Sequence, residues 1–142
     1  MLFRSKQLDF SNLRLLVEEN GNKTMKDVLP GQLQYPSLNE VNYIAFNEIT
    51  EEYHDELYSY IEFQGWKNAY CSGKPTRLYH RQLPNGNVRD EQKVLTEYIR
   101  HQIHHPENHL NTKYTRIELQ QSIEEMRQFI SDMEAEQLTE EP

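Results

Sequence analysis

Apolar residues run from Ile117 through Leu119, Ile123, Met126, Phe129 and Ile130 to Met133, and from Leu119 on they return three or four positions apart. At this interval side chains line up along one face of an α-helix. A stripe of that width has to be buried against other elements, so the remainder of the chain must supply matching faces. Thr115-Arg116-Ile117-Glu118 opens the stretch with a capping-box pattern, in which Thr and Glu satisfy each other's free backbone N–H groups.

Further helical stripes precede it. Phe10, Leu13, Leu15, Leu16 and Val17 predict a short helix over residues 9–20, stopped by Gly21. A helical turn follows at Thr24 to Leu29 and is broken by Pro30-Gly31. Ser37-Leu38-Asn39-Glu40 reads as a second capping box. Thr50 before Glu51 and Glu52 reads as an N-cap, so the segment up to Trp66 is two helices or one helix broken near Asn47 to Thr50. Its Tyr53, Leu57, Tyr60, Ile61 stripe is a core face. Val94, Leu95, Tyr98, Ile99 and Ile103 predict another helix from Arg89 to about His104, ended by Pro106.

Between Lys67 and Val88 the periodicity fails, and Gly73, Pro75 and Pro84-Asn85-Gly86 mark turns. This predicts a long loop holding at most a short hairpin around Asn85-Gly86. The expected fold is therefore all-α: an antiparallel bundle of four to five helices, with a long loop around residues 67–88. At 142 residues one core is expected, because domains cluster at about 100–150 residues. That domain would span residues 1–133, and residues 134–142 would form a frayed acidic tail. Hydrophobic residues make up only 36%, but nine Tyr, five Phe and one Trp supply large buried areas.

No run approaches the roughly 18 apolar residues of a spanning helix, and the start lacks an apolar stretch of signal-peptide length. The expectation is a cytoplasmic protein with no membrane partner. The single cysteine, Cys71, forms no internal disulfide, and a nucleophilic role would require an activating neighbour.

The net charge of −8 argues against indiscriminate nucleic-acid binding, yet it is unevenly spread. Residues 1–66 carry 5 Lys/Arg against 11 Asp/Glu, a net −6; residues 67–116 carry 9 against 4, a net +5; residues 117–142 carry 1 against 8, a net −7. The basic middle also holds five of the six histidines. Within it Arg77, Arg81, Arg89, Lys93 and Lys113 are the candidate RNA-binding cations. The plainer alternative is that basic and acidic stretches neutralise one another across the bundle.

Chemistry concentrates in Tyr98-Ile99-Arg100-His101-Gln102-Ile103-His104-His105-Pro106-Glu107-Asn108-His109, at a helix C-terminus where the backbone dipole favours cations. Three readings stand side by side. Arg100 and the histidines could cap the last carbonyls and pair with Glu97 or Glu107. His101 and His105, four apart, could bind a metal with Glu107 and His109, although the His-Glu-x-x-His and cysteine patterns of zinc sites are absent. They could also perform acid/base ribonuclease chemistry without a cofactor. That chemistry needs a base for the 2′-OH proton, an acid for the leaving oxygen and a cation on the phosphorane. Tyr79, Tyr98 and Tyr114 could stack bases. On a regular helix Arg100 and His104 share a face, whereas His105 lies about 140° around. A role for His105 beside Arg100 requires the helix to unwind before Pro106, or a second subunit to complete the site.

Arg100-His101-Gln102-Ile103-His104-His105 resembles the Arg-x4–6-His motif of the HEPN superfamily, in which a polar residue follows the arginine late in a helix. The resemblance implies Arg100 and His105 as the catalytic pair, His101 as the supporting polar residue, and His104 as the alternative at one shorter spacing. It implies a helical bundle that forms a homodimer and cleaves RNA without metal in toxin–antitoxin or antiphage settings. Across roughly residues 25–130, the stretches Leu38 to Asn47, Tyr53 to Ile61 and Ile99 to Asn108 are similar to the C-terminal region of phage-defence AAA-type ATPases. The chain lacks the Gly-x4-Gly-Lys-Ser/Thr phosphate loop, so it is not itself the ATPase. This second resemblance implies an effector-like domain with an inhibitor or ATPase partner, or a non-catalytic protein-interaction module.

Overall fold

The computed structural model describes residues 37–140; the helices expected at residues 9–20 and 24–29 lie outside them. Ser37 accepts a hydrogen bond from Glu40 N at 3.1 Å and starts helix α1, Leu38–Phe46. Asn47 ends it in the left-handed region, φ 56°, with its N–H bonded to Tyr43 O. Thr50 then accepts from Tyr53 N at 3.1 Å and starts α2, Glu51–Phe63. The break expected near Asn47 to Thr50 is therefore real, and the Ser37 and Thr50 side chains each accept the backbone bond expected of an N-cap.

The described residues divide into two compact units, one made of residues 37–48 and 130–140, the other of Ile49–Phe129. Within the first, Glu40 and Ile130 are fully buried. The second holds α2, α3 (Lys67–Cys71), β1 (Thr76–Gln82), β2 (Val88–Val94), α4 (Leu95–His104) and residues 116–129 of α5, whose full span is Arg116–Glu140.

Two antiparallel strands overturn the all-α expectation. Residues 67–88, expected to be a loop, form the short helix α3, strand β1 and the hairpin turn, and the helix expected from Arg89 begins only at Leu95. The protein is mixed, with five helices and a two-stranded sheet among the described residues. The turn itself is where the sequence put it. Gly86 N donates to Leu83 O at 2.9 Å, and Gly86 takes a φ of 89° that favours glycine. Asn85 Oδ1 accepts from Asn87 N at 2.9 Å. The strands escape a periodicity reading because polar residues occupy both faces of β2, Val-Arg-Asp-Glu-Gln-Lys-Val, leaving no apolar alternation to detect.

A hairpin of this size needs support from elsewhere. Tyr79 supplies it, 1% exposed and edge-on to Tyr98 of α4 at 5.9 Å. The segment after α4 then pins the edge of β1. Asn111 Oδ1 accepts from His80 N at 2.7 Å, and Asn111 Nδ2 donates to His80 O at 3.0 Å. Asn108 Nδ2 donates to the same carbonyl at 2.9 Å. Gln102 holds that segment to α4, donating to Thr112 O at 2.9 Å and accepting from Tyr114 N at 3.1 Å.

The core of this unit is largely aromatic. Trp66 lies edge-on to Tyr60 at 5.8 Å and to Phe129 at 6.2 Å, and Phe129 also meets Tyr70 at 5.2 Å. α2 turns into this cluster through Gly65, at φ 77°, with Gly65 N bonded to Glu62 O and Trp66 N to Ile61 O, which is a Schellman closure. The Tyr53, Leu57, Tyr60, Ile61 stripe is buried as expected. On α5 the Thr115 and Glu118 capping box closes in both directions, at 3.0 and 3.1 Å. Ile117, however, is 77% exposed and does not join the stripe, which begins at Leu119.

A hydrogen-bonded chain crosses the core. His54 Nε2 meets Ser122 Oγ at 2.8 Å, Ser122 meets Thr96 Oγ1 at 2.6 Å, and Thr96 meets the Tyr70 hydroxyl at 2.7 Å. It ties α2, α5, α4 and α3 together through polar groups that would each be costly if left unpaired. Burial, helped by the positive charge of Arg100, holds the His54 imidazolium off, with its pKa lowered to about 3. The unfolded chain binds that proton near pH 6.5 and the folded chain does not, so His54 contributes no acid penalty above pH 6.5 and a growing one below it. Urea midpoints should therefore fall as the pH drops from 7 to 5, before most carboxylates titrate. A flat profile over that interval would contradict the burial of a neutral His54.

Candidate functional site

The segment singled out by its arginine and histidines ends α4, and its side chains part to two sides. Arg100 turns towards α2. Its guanidinium lies 4.5 Å over the Tyr58 ring, with Nη1 3.6 Å from Asp55 Oδ1 and Nη2 3.8 Å from Glu62 Oε1. His104, one turn on, reaches the same Asp55, with Nε2 2.9 Å from Oδ2. Arg100 and His104 thus share a face, as helical geometry requires, and they share a carboxylate.

His101 and His105 take the other side. The His101 ring lies 5.1 Å from Tyr79 at a 30° tilt and stacks with His105 at 6.5 Å. Burial first, then Lys93 and Arg81, lower the His101 pKa to about 4. The helix ends at His104, and His105 is its C-cap at φ −130°, ψ 63°, so the unwinding before Pro106 does occur. It carries His105 towards Glu107, with Nδ1 3.3 Å from Oε2, while Arg100 keeps its partners on α2. The motif residues Arg100 and His105 therefore engage different neighbours.

The register of the hairpin organises the cations. Arg77 pairs with Lys93, Tyr79 with Glu91 and Arg81 with Arg89, and directly opposed residues share a face. One face therefore carries four of the five candidate RNA-binding residues, with Tyr79 and a single carboxylate between them. Arg81 bonds Glu91 through both Nε and Nη2, at 3.0 and 2.9 Å, and Arg89 Nε reaches it at 2.9 Å. Lys93 Nζ lies 3.5 Å from Glu91 Oε1. Arg77 packs over Tyr98 at 5.0 Å and bonds Glu118 at 2.9 Å. Lys113 is elsewhere, over the ring of Tyr114 and 3.7 Å from Glu51, whose carboxylate also accepts from the Tyr114 hydroxyl.

Next to this face, Tyr79, Arg81, Gln82, His105, Glu107 and Asn108 line a cavity of about 30 Å³. Pockets for small organic ligands are at least about ten times larger, so this is a surface recess and not a nucleotide pocket. The tyrosines expected to stack bases are unavailable, because Tyr79, Tyr98 and Tyr114 are only 1%, 4% and 7% exposed. Cys71 is half-buried, and burial followed by Glu97 pushes its thiol pKa up, opposite to the activation a nucleophile needs. Among the described residues, no three His, Cys, Asp or Glu side chains are grouped to hold a metal ion, and no helix is long and apolar enough to cross a membrane.

Sequence reasoning missed Glu91, which pairs with three cations, and Asn108, Asn111 and Gln102, which fix the hairpin and its flanking segment. Arg89 and Lys93 lie two residues either side of Glu91, but only the strand conformation turns them to its face, and only the register brings Arg81 across to it. No protein-family model matches the chain, and no characterised protein or solved structure is recognisably similar to it.

Arg100 is sandwiched between an aromatic ring and two carboxylates, so Arg100→Ala should destabilise the fold by about 1–2 kcal/mol. Loss of its charge should also raise the pKa of His54, which it helps to depress. Thermal denaturation and NMR titration of the histidines check both effects. An unchanged melting temperature would identify Arg100 as free of structural duty.

Proposed function

We propose that this chain is an RNA-binding module of HEPN-like type, a ribonuclease or a ribonuclease-derived domain, that holds the nucleic-acid backbone on the cationic face of its hairpin. One observation carries this reading: Arg81, Arg89 and Lys93 converge on the single carboxylate of Glu91, with Arg77, paired to Glu118, on the same face, in a chain whose net charge is −8. A protein this acidic gains nothing in solubility from such a cluster. A polyanion is the ligand class that such a cluster suits.

The same face argues for backbone contact rather than base reading. Its aromatic residue is buried and the adjoining recess is too small for a base, so affinity must come from phosphates and fall steeply with salt. Arg89, with 59% of its side chain exposed, is the cation best placed for a first contact. In the defence setting that the HEPN-like resemblance implies, such a module would hold cellular or phage RNA while a second copy or an ATPase partner completes its action.

Fluorescence anisotropy with a labelled RNA, from 25 to 200 mM salt, tests the reading. Each phosphate contact contributes a slope of about −0.7 for single-stranded RNA. Arg89→Gln should weaken binding roughly fivefold at low salt and flatten the slope by about one contact. If the folded wild-type protein binds no RNA at any salt, the protein-interaction reading takes its place.

RNA cleavage is a second reading, favoured by the position of His105. It leaves the helix, stands exposed, and lines the same recess as Arg81, which puts an imidazole beside a guanidinium as acid/base cleavage requires. With EDTA present, cleavage should yield 2′,3′-cyclic phosphate ends and be abolished by His105→Ala. Activity surviving that substitution would remove His105 from the chemistry.

A further inference from the structure

We infer that Arg81, Arg89 and Lys93 form a phosphate-binding site whose resident occupant is the protein's own Glu91, so that an incoming phosphate must displace this carboxylate. The inference deepens the RNA-binding reading and rests on it for the nature of the ligand, but the anion site itself stands on geometry.

A surface ion pair needs one cation for each carboxylate. Here three converge on one. Arg81 presents the parallel donors of its fork, Nε to Oε2 at 3.0 Å and Nη2 to Oε1 at 2.9 Å. Arg89 Nε adds a second bond to Oε2 at 2.9 Å, and Lys93 Nζ stands 3.5 Å from Oε1. Both carboxylate oxygens are thus surrounded, and the cluster of three cations and one anion retains a charge of +2. Two oxygens on one atom, facing a guanidinium fork, is also the arrangement a phosphate presents.

Strand geometry explains the convergence. Glu91 sits opposite Tyr79, between the Arg81·Arg89 rung and the Arg77·Lys93 rung. Its neighbours two residues along the strand and diagonally across it are therefore all cationic. Arg81 and Lys93 form the sheltered side, with side chains 25% and 22% exposed, while Arg89 at 59% leaves the outer side open. A phosphate can approach along Arg89 and take the oxygen positions as Glu91 swings out. The hydrogen bonds from Arg81, followed by those from Arg89 and the charge of Lys93, hold the Glu91 pKa at about 2. Protonation near neutral pH therefore does not vacate the site, and exchange of one anion for another is the route in.

The test compares wild type, Glu91→Gln and Glu91→Thr, the last suited to a strand if glutamine impairs folding. RNA binding is followed by anisotropy, and inorganic phosphate binding by NMR of the arginine Nε–H signals. Removing the internal competitor should tighten RNA binding about tenfold at low salt and steepen the salt slope by about 0.7. Inorganic phosphate should shift the Arg81 Nε–H signal in the variants at concentrations where the wild type does not respond. Unchanged or weakened RNA binding by folded variants, with no phosphate response, would overturn the inference. A phosphate response in the variants without RNA binding by any form would preserve the anion site and overturn the RNA reading alone.

Discussion

A two-stranded antiparallel hairpin is at best marginal in water, so everything displayed on this one depends on how Tyr79 is seated. Its ring is buried against Tyr98 and His101, and that single insertion fixes which face of the hairpin turns towards α4. Because the side-chain period of a strand is two, seating Tyr79 inward brings Arg77 and Arg81 to the same face, and their partners Lys93 and Arg89 with them. Long cationic side chains tolerate this, because their stems cover apolar surface while their charged ends reach out. Arg77 and Arg81 lie over the Tyr98 and Tyr79 rings in just this way. The charge cluster is thus a consequence of core packing as much as an addition to it.

The second support is polar and runs through amides. Asn111 bonds both backbone groups of His80, as a neighbouring strand would, and Asn108 shares the carbonyl. Part of β1's free edge is thereby occupied, which removes the pairing template that an open edge presents to other chains. Gln102 in turn fastens the segment bearing these asparagines to α4. The segment rich in histidine therefore lies within a structurally busy stretch. Its asparagines and glutamine position the backbone, while His101 packs on Tyr79 and His104 pairs with Asp55.

How much of this was legible in the sequence follows from the range of each interaction. The caps at Ser37, Thr50 and Thr115 and the Asn85-Gly86 turn are settled within four residues, so a sequence carries the whole signal. The strands are not local in this sense. β2 is polar on both faces, and its stability comes from cross-strand pairing and the anchor on the opposite strand. A periodicity reading therefore extended the helix of Leu95 back to Arg89. Ile117 is exposed while Leu119 in the same turn is buried, because two residues on a helix are about 200° apart and Ile117 points away from the stripe. The net positive charge of residues 67–116 was readable, whereas the gathering of three of its cations around Glu91 needed the strands and their register.

The Arg100 motif shows the same limit from the side of chemistry. Helical angles already place Arg100 with His104 and away from His105, and the partners observed follow that division: Asp55 for the first pair, Tyr79 and Glu107 for the other side. A guanidinium flanked by two carboxylates has part of its charge answered before any phosphate arrives, and its pull on substrate is reduced accordingly. Arg81 meets one carboxylate shared with two other cations, so its surroundings keep an excess of positive charge. If one arginine of this chain is to meet phosphate within a single copy, electrostatics favours Arg81 on the hairpin over Arg100 on the helix. A second copy could alter that balance only by drawing Asp55 and Glu62 away from Arg100.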